Sequence, residues 1–591
     1  MRLPIIKSKD SYKRRTLVFG GINKLQAFSE GELEDCSGVS HNSFPALTQR
    51  NKEALEFECE NPIAAVFGNK ECIVTNSAIY YDRKEVGKLS CGNKNIAQIG
   101  NKIVIFPDKV YYDTETEKLS RLDGGCTLKN IKVSFASNKI SLPDNAYEIV
   151  TTVESLVLNE NKDVFRYSDV NVEEGEIIFS EAELIKAVDL LQGDVFSEKS
   201  GKGHYRTAES VKAENGEITV FGSRVTVEKS GVGAFSLFSE GDIIEISGCE
   251  CASNNKQTKI VEVGENYLLF EENTFEQKNE TTVIEIKRNI PDFTCVCCYK
   301  NRLWGCEGNT IYASALGDPT NFFKYNNLST DSFSVESGDS GDFTASVVFG
   351  NYCLFFKQDK CYRLYGDRPA NFQLLEAFSG GITAENARSI AEIGGKIIYK
   401  GNGGVYAFSG GNPQKISDKL GNTMLNNCIG GGIGDCYYLS ADTASGREEF
   451  VYNMKHDVWS KSGIKDAQGY FSSADKLYRL MKNGVFSIEN ETDEECEWYA
   501  QLRPFDEEYY STKNYSGIYI TAQLFENSVI KTEISYDGDE WRTVSQHYGN
   551  KKEYINIPCP MKGCHEVRIR LSGKGKSIIE SIVRKFSVGR G

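Results

Sequence analysis

The feature that most constrains this 591-residue chain is a short pattern that recurs seven times. Each copy has a turn residue, an apolar and aromatic run, a second turn and a second apolar run. Because β-branched and aromatic residues favour strands and Gly, Asn and Asp tolerate turn geometry, each copy predicts a β-hairpin. The copies begin at Asn69, Asn101, Asn301, Asn351, Gly395, Asp435 and Asp475.

The spacing of the copies predicts how the hairpins assemble. The last four intervals are 50, 44, 40 and 40 residues, which is typical of propeller blades. One small sheet cannot bury both faces until neighbouring sheets stack around a ring. We therefore expect an all-β fold built on a β-propeller of seven blades. The 32-residue interval between the first two copies is short for a four-stranded blade and leaves the count open by one.

The interval between the second and third copies is 200 residues, so the sequence predicts an insertion there. Most of its apolar runs alternate with polar residues as in strands, and only 180–192 has helical spacing, with Ser180 as its N-cap. After the last copy, an acidic linker (489–497) precedes a segment with about five predicted strands. The predicted domains are an N-terminal strand with the first blades (1–123), an inserted β-rich domain (124–292), the remaining blades (293–489) and a C-terminal β-sandwich (490–591).

The N-terminal region carries two separate expectations. One predicted strand lies before the first copy, and we expect 15–24 to close the ring by pairing with the last blade. The first 15 residues hold six Lys and Arg residues. They form either a solvated tail or an arm that contacts a partner or DNA.

Composition limits the function classes. The chain has 68 Lys and Arg against 83 Asp and Glu, a net charge of −15, which disfavours tight wrapping of nucleic acid or anionic membranes. No secretion signal and no run of 18 apolar residues is expected, so we predict no membrane partner. The 18 cysteines show no regular framework and are expected to be reduced. Their tight groups are Cys249 with Cys251, and Cys295 with Cys297 and Cys298; alternation in strands explains these better than zinc binding.

Catalytic patterns are weak, and the sequence predicts no enzyme activity, no cofactor and no metal. The glycine clusters, such as Gly430 to Gly432, lack a phosphate-loop arrangement, and we expect them to be turns with positive φ. The segment 535–541 is similar to a sialidase aspartate box, but Gly538 and Trp541 each come one place early. It predicts a tight turn with Trp541 beneath it. The acidic stretches 317–319 and 338–343 are too short for calcium loops.

The sequence around the third and fourth copies indicates a particular protein family. It contains YKNRLWG (299–305), NTIYASALGDPTNF, LSTDSF and GDFTASVVFGNYCLFFKQDKCYRLYG, and the N-terminal region contains FGGIN (19–23). These segments resemble the β-propeller tail proteins of tailed bacteriophages and prophages. Those proteins are related to the packaged-DNA stabilisation, tail hub or nozzle proteins of short-tailed phages. The resemblance covers most of the chain and is strongest over 296–420.

The resemblance implies a structural virion protein of the phage tail, assembled in the bacterial host cytoplasm. It implies a homo-oligomeric ring of six copies that contacts the portal or adaptor and other tail proteins. Double-stranded DNA would pass through the channel without sequence recognition, and the ring would retain the packaged genome until ejection. The rivals are a tail-tip or collar receptor that binds carbohydrate, a wall-degrading glycosidase and a bacterial scaffold protein.

Seven residues mark the resemblance. We expect scaffold roles for them, with Trp304 in the core, the aspartates capping turns and Arg302 available to pair with one of them. They are Asn301, Arg302, Trp304, Asp318, Pro319, Asp331 and Asp342.

Overall fold

The structure, a computed structural model, is nearly all-β and confirms the predicted propeller. It describes residues 11–141, 217–270, 275–276, 278–325, 327–473, 476–488 and 496–589, together with the strands between 155 and 214. The predicted helix over 180–192 lies almost entirely outside the described residues, as does most of the acidic linker.

Seven four-stranded antiparallel sheets form the blades, and each sequence repeat supplies the turn and middle strands of one blade. The first blade is short, which explains the 32-residue interval. The strands are Pro62–Phe67, Glu71–Thr75, Ala78–Tyr81 and Lys84–Lys88 in blade 1; Asn95–Ile99, Lys102–Phe106, Val110–Asp113 and Lys118–Arg121 in blade 2; Cys295–Tyr299, Arg302–Glu307, Thr310–Ala313 and Phe333–Glu336 in blade 3; Ala345–Phe349, Tyr352–Phe356, Lys360–Tyr365 and Gln373–Ser379 in blade 4; Ala391–Ile393, Lys396–Gly401, Gly404–Phe408 and Gln414–Lys415 in blade 5; Asn426–Ile433, Cys436–Thr443, Gly446–Asn453 and Val458–Lys461 in blade 6; and Ala467–Ser473, Lys476–Met481, Gly484–Ser487 and Ala54–Glu58 in blade 7.

The ring is closed by Ala54–Glu58, and the prediction that 15–24 closes it is wrong. Ala54–Glu58 pairs antiparallel with Gly484–Ser487 and becomes the outermost strand of blade 7. Within 15–24, the first residues belong to Ser11–Thr16, which pairs instead with Ser577–Val588 near the C-terminus. A strand from before blade 1 therefore completes the last blade, which removes the free edge a linear array of blades would have.

Shared apolar clusters hold neighbouring blades together around the whole ring. Trp304 of blade 3 packs with Phe355 of blade 4, and Phe356 of blade 4 packs with Tyr399 of blade 5. Ile73 of blade 1 packs with Leu480 of blade 7, so the first and last blades are joined in the same way. Each sheet thus buries both faces only through its neighbours.

A β-sandwich packs against the outer strand of blade 6. It combines N-terminal strands with C-terminal ones, so 11–49 belongs with the sandwich rather than with the first blades. The main chain of Ile22 donates to the Trp459 carbonyl at 2.7 Å at this contact. One sheet contains Ser11–Thr16, Val39–Ser40, Leu47–Gln49, Lys513–Leu524, Lys552–Pro558, Gly563–Cys564 and Ser577–Val588, and the other contains Leu33–Ser37, Trp498–Leu502, Ser528–Tyr536, Arg542–Gly549 and Val567–Lys574.

The insertion leaves the ring between blades 2 and 3 and forms two further sheets. A buried ion pair of Arg288 with Asp242, 2.8 Å between Nε and Oδ2, fixes its base. The sheets contain Gly125–Leu128, Val133–Ser141, Val211–Glu214, Glu217–Val227, Ile243–Ser247, Gln257–Val263, Tyr267–Phe270, Lys278–Glu280 and Ile284–Arg288, and Ser155–Leu158, Asp163–Asn171, Glu176–Ser180, Ser197–Lys199 and Lys202–Tyr205. Short 3-10 turns cover Lys229–Gly231, Ala252–Asn254, Pro369–Asn371, Ala384–Ser389 and Asp418–Leu420.

Candidate ligand site at the propeller axis

The predicted marker residues lie in and beside blade 3, and Trp304 is a packing residue. Its side chain is completely buried, and its indole Nε1 donates to the Tyr299 carbonyl at 3.1 Å. Its ring meets Phe372 edge-on with 5.0 Å between centroids. Trp304 therefore anchors the packing of blade 3 against blade 4.

Arg302 is also buried, and it holds the long outer loop of blade 3 through main-chain carbonyls. It donates to Ser314 at 2.8 Å, to Ser329 at 2.6 Å and to Asp331. Its hydrogen bond to Asp331 goes to the carbonyl, whereas the carboxylate of that residue accepts from the Leu328 amide at 2.9 Å. Burial lowers the pKa of Arg302, with Asp331 opposing that shift.

The other markers shape turns. Asp318 accepts from the Thr320 amide at 2.9 Å and from its hydroxyl at 2.6 Å. Asn301 occupies a left-handed turn with φ of 54°, Pro319 is buried and Asp342 is exposed. The seven markers thus serve one blade and its loop, and they do not converge on a pocket.

The two cysteine groups lie in different parts of the fold. Cys295 and Cys297 are buried in the innermost strand of blade 3. In the insertion, the Cys251 thiol donates to the Glu276 carboxylate at 2.9 Å. All 18 cysteines are free. Within the described ranges, no group of three or more His, Cys, Asp and Glu residues is arranged to hold a metal ion.

The segment similar to an aspartate box forms a turn of the sandwich. Asp537 has a φ of 51°, and its carboxylate accepts from the His565 amide at 2.7 Å. Trp541 is half-buried beside the Arg570 guanidinium, 4.5 Å from the ring centroid. The segment therefore has a local structural role.

A cavity of about 560 Å³ opens at one end of the propeller, where the innermost strands of blades 1, 6 and 7 begin. Its volume is in the range of small-molecule sites. The charged and amide side chains that line it come from the turn before blade 5, from blades 6 and 7 and from the connection between blades 1 and 2; they are Glu385, Arg388, Asn427, Asp442, Arg447, Asp466, Gln468, Lys482 and Asn93.

Arg388 reaches across the axis from the turn Ala384–Ser389. Its Nη2 donates to the Gln468 carbonyl of blade 7 at 2.7 Å and to the Ile63 carbonyl of blade 1. Burial, and secondarily the nearby Arg447 cation, lowers the pKa of Arg388 to about 10. Arg388 is thus a half-buried cation in the axial cavity, with two main-chain carbonyls as its hydrogen-bond partners.

A run of glycines allows the turn that carries Arg388 to approach so closely. Gly430 to Gly432 lie inside the strand Asn426–Ile433, so the prediction that these glycines are positive-φ turn residues is wrong. A Cβ at Gly430 would stand 2.1 Å from the Ser389 carbonyl oxygen. The same carbonyl accepts from the Tyr437 hydroxyl at 2.7 Å, which fixes the end of the turn.

A second arginine, Arg447, binds the main-chain carbonyl next to the one that holds Arg388. Arg447 Nε donates to Ala467 at 3.2 Å, one residue before the carbonyl that holds Arg388. Arg447 also pairs with Asp442, 2.8 Å between Nη1 and Oδ1. A hydrogen bond from the Asn427 amide and this ion pair lower the pKa of Asp442. Arg447 is therefore neutralised locally.

The remaining polar groups of the cavity are an amide oxygen and three exposed charged side chains. Gln468 Oε1 is buried and has no hydrogen-bond partner among the described residues. Glu385, Asp466 and Lys482 are exposed at the mouth. The cavity therefore offers the half-buried Arg388, one buried acceptor, and exposed carboxylates beside an exposed lysine, a combination suited to binding a small polar molecule.

Sequence reasoning missed this cavity. Its residues come from the turn before blade 5, from blades 6 and 7, and from the start of blade 1 and the connection that follows it, and none belongs to a recognisable motif. The run of glycines was the one available signal, because a strand without side chains permits a close approach.

Comparison of this chain with known proteins shows only distant structural similarity. No protein-family model and no curated protein matches the chain. An exo-β-1,3-galactanase from Phanerochaete chrysosporium is 10% identical, with 50% of this chain and 96% of that chain covered and a TM-score of 0.20. PorZ of the Porphyromonas gingivalis type IX secretion system is 8% identical, with 90% and 88% covered and a TM-score of 0.23. The phage phi92 endosialidase is 8% identical, with 81% and 61% covered and a TM-score of 0.15. At these scores, none of them carries an argument about function. Across the described ranges, no helix is long and apolar enough to span a bilayer.

Proposed function

We propose that this chain is a non-enzymatic structural protein of a bacteriophage tail, a subunit of a hub or nozzle ring that retains the packaged genome. The residues that resemble phage tail propellers support the family. The observation that carries the ring is the position of the two added modules. The insertion leaves between blades 2 and 3 and the sandwich packs on blade 6, so they lie on opposite sides of a seven-bladed ring.

Exposed apolar side chains accompany both modules. On the sandwich side, Leu25, Phe28 and Met424 form what we call the first lateral surface. Arg503 links two of them, because its guanidinium lies 4.1 Å from the centre of the Phe28 ring and donates to the Leu25 carbonyl at 3.0 Å. The hydrogen bond of Lys24 to Thr423, at 3.2 Å, brings the Met424 loop alongside.

On the insertion side, Leu237, Leu316 and Leu328 form the second lateral surface. The Leu316 amide donates to the Thr330 carbonyl at 2.9 Å, which brings the two ends of the blade 3 loop together. Two unlike apolar surfaces on opposite sides suit head-to-tail contacts, which close into a ring when the rotation permits. The second lateral surface of one protomer would then pack on the first lateral surface of the next.

In this proposal, DNA passes between protomers and not through a single propeller. The axial cavity has the volume of a small-molecule site and is crossed by Arg388. The net charge of −15 would make a shared lumen repel the duplex and let it slide.

The deciding experiment is quantitative peptide mass spectrometry on gradient-purified phage particles that carry this gene, scaled to the portal protein. We expect about six copies per twelve portal subunits, the ratio of a closed ring implied by the resemblance. Absence from the particle would overturn the proposal. A clearly different ratio would move the protein from the hub to a peripheral position.

A second candidate is a receptor-binding role, and the exposed tyrosines of the sandwich favour it. Tyr554 is 77% exposed and lies diagonally from Tyr519 on one sheet face. Tyrosine rings stack on the apolar faces of sugars and offer a polar tip. If the role is real, purified protein should sediment with host cell walls, and Tyr554→Ala should reduce the bound fraction more than Tyr548→Ala does.

A further inference from the structure

A second cavity lies beside the axial one, and its lining is cationic. It has a volume of about 360 Å³ and lies between the turn 402–404 of blade 5 and the connection 420–426 that leads to blade 6. Among the described residues that line it, the charged ones are Lys400 and Lys415, and no carboxylate joins them. In the axial cavity, by contrast, charges of both signs balance.

Lys400 brings a buried charge to this cavity. It is 9% exposed and lies near the end of the strand Lys396–Gly401. Its Nζ donates to the Gly401 carbonyl at 2.7 Å, and no ion pair in the described part of the chain includes it. An ammonium group has three N–H donors, so two remain for a ligand. A buried charge without a counter-ion is costly, and a bound anion would reduce that cost.

Acids outside the lining do not cancel its charge. Asp418 pairs with Lys415, 3.0 Å between Oδ1 and Nζ, in an exposed contact of little strength. Glu385, exposed in the turn before blade 5, is the carboxylate that acts on Lys400. Lys24 offsets one of these acids, because its Nζ donates at 3.2 Å to a threonine hydroxyl of the lining. Three lysines therefore stand against two carboxylates.

Neutral groups of the lining add hydrogen-bond donors. Gly403 and Gly404 have no side chains, so their main chain forms part of the cavity wall. The Ser417 hydroxyl accepts from the Val405 amide at 2.9 Å, which leaves its proton for a ligand. A Cβ at Gly404 would stand 2.5 Å from Ser417 Oγ and 2.6 Å from Lys415 Cε. Glycine therefore allows the hydroxyl and the lysine to lie against this turn.

A phosphate group fits these donors better than a carboxylate does. Lysine binds phosphate as a point charge, without the planar fork with which arginine binds a carboxylate. A phosphate monoester carries about −1.5 to −2 charges at neutral pH, so Lys400 and Lys415 attract it more strongly than a singly charged carboxylate. Its oxygens also point in several directions, as these donors require.

The geometry points to a binding site for the phosphate group of a small molecule, with Lys400 and Lys415 as its cations and the Ser417 hydroxyl as a further donor. The volume of about 360 Å³ has room for phosphate and a small organic group. The net charge of −15 disfavours a nucleic-acid backbone as the source of the phosphate. This site does not depend on the tail proposal.

The test is isothermal titration calorimetry of the full chain with inorganic phosphate, and with acetate at the same ionic strength. We expect phosphate to bind at least tenfold more tightly than acetate. No measurable binding of phosphate, or equal binding of acetate, would overturn the site. Fluorescence anisotropy with a short labelled DNA duplex identifies the source, and we expect no binding. Duplex binding that Lys400→Met abolishes would overturn the small-molecule assignment.

Variants locate the binding. Lys400→Met should weaken phosphate binding at least tenfold, and Lys400→Arg should retain part of it. Lys396→Met is the matched control, because Lys396 lies at the other end of the same strand and outside the lining, and it should bind phosphate as wild type does. If Lys400→Met fails to fold, Lys415→Met removes the second cation, whose pair with Asp418 is exposed, and should also weaken binding. Unchanged affinity in a folded variant of either lysine would overturn the assignment.

Discussion

At the scale of single residues, the molecule depends on a few buried charges that are paired with an opposite charge. Arg479 of blade 7 and Glu449 of blade 6 form a bidentate pair at 2.8 and 2.6 Å, both buried. Tyr470 donates to the same carboxylate at 2.6 Å. The pair therefore fixes how two blades face each other, and removing one partner leaves a buried charge.

We expect Arg479→Met to lower the free energy of unfolding by about 3–5 kcal/mol, because Glu449 would remain buried and unpaired. Urea unfolding followed by tryptophan fluorescence measures this. The control is Lys552→Met, which breaks the exposed pair with Glu580 and should change stability by less than about 1 kcal/mol. Similar effects of the two variants would contradict the argument.

A histidine at the junction of the sandwich and blade 6 predicts acid sensitivity. His41 is buried, and desolvation lowers its pKa to about 4 from an ordinary 6.5. The unfolded chain therefore binds the proton first, so the stability from neutral His41 is present above pH 6.5 and is lost as the pH falls towards 4.

Between pH 7.5 and 5, the free energy of unfolding should fall by about 2 kcal/mol because of His41, and urea titrations at each pH can detect this change. His41→Gln should flatten that part of the pH profile. His565→Gln, at an exposed end of the sandwich, is the comparison and should leave the profile as it is. A profile unaltered by His41→Gln would refute this assignment.

At the scale of elements, the glycines of the innermost strand of blade 6 allow a turn from before blade 5 to pack against that strand. Gly430 lets the turn Ala384–Ser389 rest directly on the strand. The amide of Cys428 in the same strand donates to Asn386 at 3.0 Å. Strand and turn therefore form one unit that places Arg388.

Gly430→Ala should destabilise the chain by about 1–3 kcal/mol, because its Cβ would overlap the Ser389 carbonyl and force the turn away. Differential scanning calorimetry measures the change. Gly411→Ala serves as the control, since its Cβ would meet nothing within 4 Å. Equal melting temperatures for the two variants would show that the turn has room to move.

At the scale of the whole molecule, the propeller separates two unlike modules. The first lateral surface, on the sandwich side, and the second lateral surface, on the insertion side, cannot meet within one chain, because the ring stands between them. Any contact between them must join different copies. The proposed ring therefore depends on two complementary surfaces, and this can be tested by mixing variants.

Analytical ultracentrifugation should show self-association of the wild-type chain that is lost in Phe28→Glu and in Leu328→Glu, since each buries a charge in one apolar surface. Mixing the two variants should restore one-to-one dimers, because each mixed pair retains one intact interface. Met561→Glu, exposed elsewhere on the sandwich, should associate as wild type does. Self-association that survives in either single variant would contradict the head-to-tail arrangement.

The sequence by itself determined the repeating unit, because hairpins depend on local strand preference and turn residues. Asn301 and its equivalents mark turns that form between adjacent strands, so seven repeats correspond to seven blades. The alternation of apolar residues likewise located six strands of the insertion and five strands of the C-terminal module, and it missed the others. Trp304 lies in the packing between blades 3 and 4 and Asp318 accepts hydrogen bonds within a turn, while the scaffold roles expected for the marker set stay predictions.

Only the tertiary structure decided what closes the ring and what lies at its axis. Ala54–Glu58 joins Gly484–Ser487, and Ser11–Thr16 joins Ser577–Val588, although hundreds of residues separate the partners. Nothing local distinguishes one polar edge strand from another, because the choice depends on which edge the folded ring leaves open. Arg388 is similarly ordinary in the sequence, and it gains its two carbonyl partners only where the turn before blade 5 meets blades 1 and 7.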